Sequence, residues 1–178
     1  MTSALTEAAS SSREAAPAID VPVLRRAAMD FLARREHSFF ELKQKLKNKF
    51  PEVDRELLLQ VLAQLREENL QSDQRFTESW VRYRKSRGFA YHHIRVDLAS
   101  RRVDESLINQ YLFEDDSDWE LMATNLVHNR VPPGENLEYE SREHRRLLRF
   151  LESRGFPHVV IRKAVSRCLG NKSNRSAA

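Results

Sequence analysis

Histidines, cysteines and paired carboxylates build metal sites and acid–base or nucleophilic catalysis, and this chain carries six histidines and one cysteine. Their spacing argues against both uses. His92 and His93 are adjacent, and helical neighbours point about 100° apart, so the pair cannot hold one ion with ordinary ligand geometry. His37, His128, His144 and His158 lack HxxxH or HExxH partners. Cys168 has no second cysteine for a disulfide or a thiolate zinc site. The acids Asp115 and Asp116 sit in an acidic run, and the four glycines fall in no GxGxxG or GxxxxGK phosphate loop. The expectation is surface or packing histidines, no cofactor, no metal ion and no catalysis.

Cations suggest a different chemistry, the binding of anionic partners. A net charge of +4 conceals strong blocks. Residues 25–49 hold eight basic and three acidic side chains, whereas residues 50–74 hold two and six. Residues 75–102 hold eight and two, residues 103–120 none and seven, and residues 141–175 ten and two. In the middle block Arg82, Arg84, Lys85, Arg87, Arg95, Arg101 and Arg102 give more positive charge than solubility requires, which points to phosphate or acidic protein as ligand. Arg34, Arg35, Lys43 and Lys45 in the first block, and Arg149, Arg154, Arg162 and Lys163 in the last, are secondary candidates. Arg35, Arg87 and Arg154 have a competing structural role, since a cation in the last turn of a helix offsets the macrodipole. Most of Phe39, Phe40, Phe89, Tyr91 and Phe156, at the breaks between helices, are expected in the core rather than stacked on bases.

These side chains are positioned by a pattern that is helical throughout, with apolar residues at three- and four-residue spacing and almost no alternation. The pattern repeats. Phe31, Arg35, Ser38, Leu42 and Leu46 stand at the mutual spacing of Tyr83, Arg87, Ala90, Ile94 and Leu98, and of Phe150, Arg154, Pro157, Ile161 and Val165. Each copy is a helix hairpin, and the two aliphatics on its second helix are expected to be buried. Val53-Asp54 and Val103-Asp104 begin a third helix in copies one and two. Ser38-Phe39-Phe40-Glu41 reads as a capping box, Asp54 and Asp104 as N-caps, Gly88 and Gly155 as left-handed C-caps, and Pro157 as a first-turn residue. Asp116-Ser117-Asp118 caps a helix carrying Trp119, Met122 and Leu126 that Val131-Pro132-Pro133-Gly134 ends, and a long helix runs from about Leu137 to Arg154. The predicted fold is all-α, an elongated tandem array of three-helix units: residues 21–72, 73–116 and 117–170, the last with a doubtful third helix. Residues 1–20 and 171–178 are expected to be disordered tails. No window is long and apolar enough for a membrane span, and the start lacks a signal peptide, so a cytoplasmic location is expected.

Particular residues also resemble a known family. Arg34-Arg35-Glu36-His37-Ser38 followed by Glu41-Leu42-Lys43-Gln44-Lys45-Leu46 is the most specific element. Ser72-Asp73 precedes Arg75-Phe76 and Glu78-Ser79-Trp80-Val81-Arg82; Arg87-Gly88-Phe89 stands with Ile94 and Leu98, and Arg154-Gly155-Phe156 with Ile161. Together, over roughly residues 23–169, they are similar to the bacterial RecX regulatory proteins. Asn48-Lys49-Phe50 departs from the family, which usually has a glycine closing the second helix of its first repeat.

The resemblance implies tandem three-helix repeats that lie in the groove of the RecA nucleoprotein filament and restrain RecA's ATPase, strand-exchange and coprotease activities. It implies a regulator rather than an enzyme; the expected partners are the RecA filament and single-stranded DNA within it, with weak binding to free DNA left open, and the expected state is a monomer. The rival reading is a helix-turn-helix-like DNA-binding repressor with the second helix of a unit as reader. The absence of a dimerisation zipper and of a polar reader helix disfavours it. On the regulatory reading, neutralising Arg82, Arg84, Lys85 and Arg95 weakens inhibition with little effect on folding, because exposed cations contribute little to stability.

Overall fold

The computed structural model describes residues 19–131 and 137–169. The expected tails therefore lie outside the described residues, apart from Ile19 and Asp20. Among the described residues the chain forms α1 (Val21–Leu32), α2 (Phe39–Lys49), α3 (Arg55–Glu67), α4 (Asp73–Ser86), α5 (Tyr91–Ser100), α6 (Glu105–Tyr111), α7 (Asp118–His128), α8 (Arg142–Ser153) and α9 (His158–Ser166). The β pairing described is one isolated bridge between Leu137 and Leu169. The all-α expectation is met.

Local chemistry sets many of the boundaries. Side-chain oxygens of Asp20, Ser38, Asp54, Ser72, Asp104 and Ser141 accept from backbone N–H groups at the starts of α1, α2, α3, α4, α6 and α8, each cap stabilising its helix by about 1 kcal/mol. Gly88 and Gly155 take φ of +75° and +84° just after α4 and α8, a conformation that costs a residue with a Cβ about 1–2 kcal/mol.

Four local expectations are corrected. The long helix from Leu137 does not form: Leu137 donates its N–H to the Cys168 carbonyl, Glu140 has φ of +61°, and Ser141 caps α8 from outside. Helix α7 already ends at His128, before Val131, and Pro132, Pro133 and Gly134 lie outside the described residues. Pro157 is the N-cap of α9 rather than a first-turn residue. Arg87 and Arg154, expected in the last turn, are the C-caps of α4 and α8 with Gly88 and Gly155 one residue beyond, but Arg35 lies beyond the Ala33 C-cap of α1 and cannot act as a last-turn cation there.

Helices pack on near neighbours in the chain: α1, α2 and α3 on one another, α4, α5 and α6 likewise, and α9 against α7 and α8. The helix that completes the last bundle therefore precedes the copied α8–α9 hairpin, where α3 and α6 follow theirs. No helix after α9 falls within the described residues. Leu42, Leu46, Ile94, Leu98, Ile161 and Val165 are all buried, as the repeat requires. The apolar side chains form two separate clusters. One is built from α1–α3 around Leu24, Leu42, Leu62 and Leu65. The other is continuous through α4–α9 and includes Phe76, Ile94, Trp119, Leu151, Phe156 and Val165. The first three helices thus close their own core, and the other six share one.

Candidate functional site

Between the two cores lies a junction made of polar and charged groups. Glu41 at the start of α2 is its centre. Ser38 Oγ accepts from the Glu41 N–H at 3.1 Å, which is half of the expected capping box. The Glu41 carboxylate is used elsewhere. It takes Arg101 Nε at 2.9 Å from the end of α5, Arg35 at 3.1 Å and His37 Nδ1 at 3.2 Å. Three positively polarised partners outcompete one backbone N–H for a carboxylate that is only 15% exposed. Around it Ser38 Oγ donates to the Arg101 carbonyl (3.1 Å), the Phe39 N–H donates to Asp73 (2.7 Å), Gln71 Nε2 donates to the His37 carbonyl (3.2 Å) and Arg75 pairs with Glu36 (2.8 Å). Trp80 stacks under this network, its ring centroid 4.2 Å from the Arg101 guanidinium and 5.5 Å from that of Arg35.

Burial alone would raise the Glu41 pKa, but the hydrogen bonds from His37 and Arg35 and the charges of Arg35 and Arg101 bring it down to about 2. A depressed carboxylate adds stability that is fully present above its unfolded pKa, near 4.5, and is lost as pH falls through its folded value. At pH 7 Glu41→Gln is therefore expected to cost about 1.5–3 kcal/mol, the worth of a hydrogen bond to a charged group. Urea denaturation should show wild type and variant converging as pH falls from about 4.5 toward 2. An undiminished gap at the acid end would show that the carboxylate charge is not what matters.

The cations of the middle unit divide into two groups. Arg84 and Lys85 are each only 19% exposed. Arg84 pairs with Asp97 at 2.8 Å, meets His93 Nε2 at 2.8 Å and lies 4.2 Å over Phe89. Lys85 reaches across to Asp116, just ahead of α7, and to Asp118, its first residue, and lies 4.5 Å over the Trp119 ring. Burial opposes the charge of Lys85, yet the two aspartates raise its pKa, and Lys85 lowers that of Asp116 against the same burial. Burial and the Arg84 charge together lower the pKa of His93. Arg101 belongs to the Glu41 junction, and Arg95 binds Glu105 and Asn109. The expectation that neutralising Arg82, Arg84, Lys85 and Arg95 leaves folding intact is therefore corrected for Arg84 and Lys85, which are largely buried in ion pairs, Arg84 between α4 and α5 and Lys85 across to Asp116 and Asp118. Arg82 is different, 75% exposed and, among the described residues, paired only along its own helix with Glu78. Arg87 is exposed, as is Arg102, which lies 5.0 Å from the Phe40 ring centre at φ of +54°.

The secondary candidates are similarly mixed. Arg34, Arg149 and Arg162 are exposed; Lys43 is half-buried, as is Lys45, which lies over Phe31; Lys163 pairs with Glu120. Arg154 donates to the Arg87 carbonyl at 3.1 Å and lies over Phe89 and Phe150. Sequence reasoning missed three arginines. Arg142, Arg145 and Arg146 are exposed on α8 beside Arg149, and their spacing against the buried His144, Leu147 and Leu151 was a readable signal. Of the five aromatics at the breaks only Phe156 is fully buried; Phe39, Phe40, Phe89 and Tyr91 are half-buried, with Phe89 stacked on His93. His37 and His144 are buried and the other histidines are not. No cluster of metal-ligating side chains occurs among the described residues, and no helix there is long and apolar enough to cross a membrane.

A serial helical array with cationic helix surfaces defines the class, a tandem helical-repeat protein. Residues 72–112, which hold α4–α6, match the model of the second three-helix domain of RecX. The Regulatory protein RecX of Pseudomonas entomophila (strain L48) is 38% identical over 149 residues, 83% of this chain and 94% of that protein. That of Pseudomonas putida (strain GB-1) is 38% identical over 149 residues, 83% of this chain and 93% of its own. The crystal structure of RecX from Lactobacillus salivarius has the same fold, with a TM-score of 0.70 at 16% identity over 84% of this chain and 96% of that one. The chain belongs to the RecX family of regulatory proteins.

Proposed function

We propose that this protein is a regulator of the RecA recombinase, lying along the RecA nucleoprotein filament and lowering its ATPase, strand-exchange and coprotease activities. The observation that carries the reading is the match to regulatory RecX proteins across nearly their whole length. The architecture supports it. Serially packed helices offer an extended surface on which several weak contacts act together, so that filament transitions coupled to ATP turnover are hindered by binding alone. On this reading the protein acts in the cytoplasm as a monomer, without cofactor or chemistry of its own, and meets RecA subunits and single-stranded DNA through exposed cations such as Arg82, Arg87 and Arg102.

The repressor alternative is disfavoured by packing. A reader helix presents its N-terminal residues to base edges. At the start of α5 the Ala90 N–H donates to the Arg154 carbonyl at 2.8 Å and the His92 N–H to the Gly155 carbonyl at 2.9 Å. The start of α2 is likewise occupied, by Asp73 and Arg101.

The test is RecA's ATPase on single-stranded DNA, titrated with this protein. ATP turnover is expected to fall at protein concentrations below that of RecA, with the protein sedimenting with the filament. Unchanged turnover with no co-sedimentation would refute the reading.

A further inference from the structure

Helix α8 separates its residues more sharply than its neighbours. His144, Leu147 and Leu151 turn inward, with 7%, 5% and 0% of their surface exposed. Arg142, Arg145, Arg146 and Arg149 follow one another at three-, one- and three-residue steps, which places them within about 100° of arc on the opposite face. All four are exposed, and none makes a side-chain hydrogen bond, ion pair or ring contact among the described residues. The acids of α8, Glu143 and Glu152, fall on either flank of this stripe.

We propose that the arginine stripe of α8 is a track for the phosphate backbone of single-stranded nucleic acid, an assignment that rests on the regulatory reading and says which surface meets the DNA. Guanidinium groups bind phosphate and carboxylate oxygens alike, and two further points favour phosphate over a protein partner. The stripe runs about 10 Å along the helix at 1.5 Å per residue, long enough to follow successive phosphates of one strand. It also contains no apolar side chain, whereas protein interfaces centre on apolar or aromatic anchors. The contrast with the middle unit is direct. Arg84, Lys85 and Arg101 must break intramolecular ion pairs to bind an anion, and the α8 arginines need break none among the described residues.

The test uses the full chain and a fluorescein-labelled oligothymidylate, with anisotropy read between about 50 and 200 mM salt. A variant with Arg142→Gln, Arg145→Gln, Arg146→Gln and Arg149→Gln is expected to bind at least about tenfold more weakly and to flatten the slope of log K against log salt by about 0.7 per lost contact, roughly 2–3 in all. The fourfold Arg→Lys variant keeps the charge and should keep the slope. The pairs Arg142→Gln with Arg146→Gln, and Arg145→Gln with Arg149→Gln, should each remove about half the change, which covers a fourfold variant that fails to fold by circular dichroism. RecA inhibition is measured in parallel. A wild-type slope in the folded fourfold Gln variant overturns the proposal, as does wild-type protein that inhibits RecA without binding the oligonucleotide. A variant that keeps the slope but loses inhibition assigns the stripe to an acidic protein surface, overturning the nucleic-acid assignment while leaving the regulatory reading in place. Loss of the slope supports the proposal whether or not RecA is still inhibited.

Discussion

Replacing Gly155 by Ala should destabilise the protein by about 2–5 kcal/mol, combining a left-handed backbone with an overpacked site. Gly155 has φ of +84°, and an added Cβ would stand 2.3 Å from the His93 backbone nitrogen and 3.0 Å from its Cα. Backbone atoms in α5 cannot swing aside as a side-chain end can. The close approach exists because the His92 N–H donates to the Gly155 carbonyl and the Ala90 N–H to that of Arg154, joining the end of α8 to the start of α5. Gly88 is the internal comparison. Its φ is +75°, but its added Cβ would meet only the Leu126 methyls at 3.6 Å. Gly88→Ala should therefore cost only the conformational part, about 1–2 kcal/mol. Denaturant midpoints followed by circular dichroism distinguish the two; equal losses would mean that the His93 contact relaxes freely.

The second large effect is expected at Trp119. Its side chain is fully buried, its indole N–H donates to the Phe113 carbonyl at 2.9 Å, and Lys85 lies over its ring. Trp119→Ala should cost about 3–5 kcal/mol, the range for emptying a large aromatic site, while Trp119→Phe keeps much of the packing and costs less. The location of the loss is as informative as its size. Trp119 belongs to the core shared by α4–α9 and not to that of α1–α3. Hydrogen exchange followed by mass spectrometry should therefore show lost protection across α4–α9 with α1–α3 little changed. Loss of equal size in α1–α3 would show that the polar junction couples the two cores tightly.

What could be read from the residues and what could not have separate physical origins. Caps, left-handed glycines and buried repeat positions depend on neighbours within one turn or one hairpin, so Asp54, Gly88, Ile94 and Val165 were legible. Ion pairing depends on topology. Lys85 finds Asp116 31 residues away, and Arg101 finds Glu41 60 residues away, and no local pattern records either meeting. For that reason a cationic block read as a solvent-facing surface contains two kinds of cation, those that hold the molecule together and those available to a partner. The capping box failed at Glu41 for the same reason, since its shortest ion pair is with Arg101, at the end of α5. The α8 stripe was legible in principle, because its arginines and its buried face alternate within one helix, but the repeat itself marks only Phe150 and Arg154 near its end.

The division of the core also bears on how the chain is made. A ribosome delivers residues in order, and domains fold as units once their residues have emerged. Every buried member of the first cluster lies between Leu24 and Leu65, so that core can close while the rest of the chain is still being synthesised. The second cluster joins Phe76 in α4 to Val165 in α9. Until α9 emerges, the apolar faces of α4–α8 lack part of their cover, leaving the nascent middle of this protein the segment most in need of a chaperone.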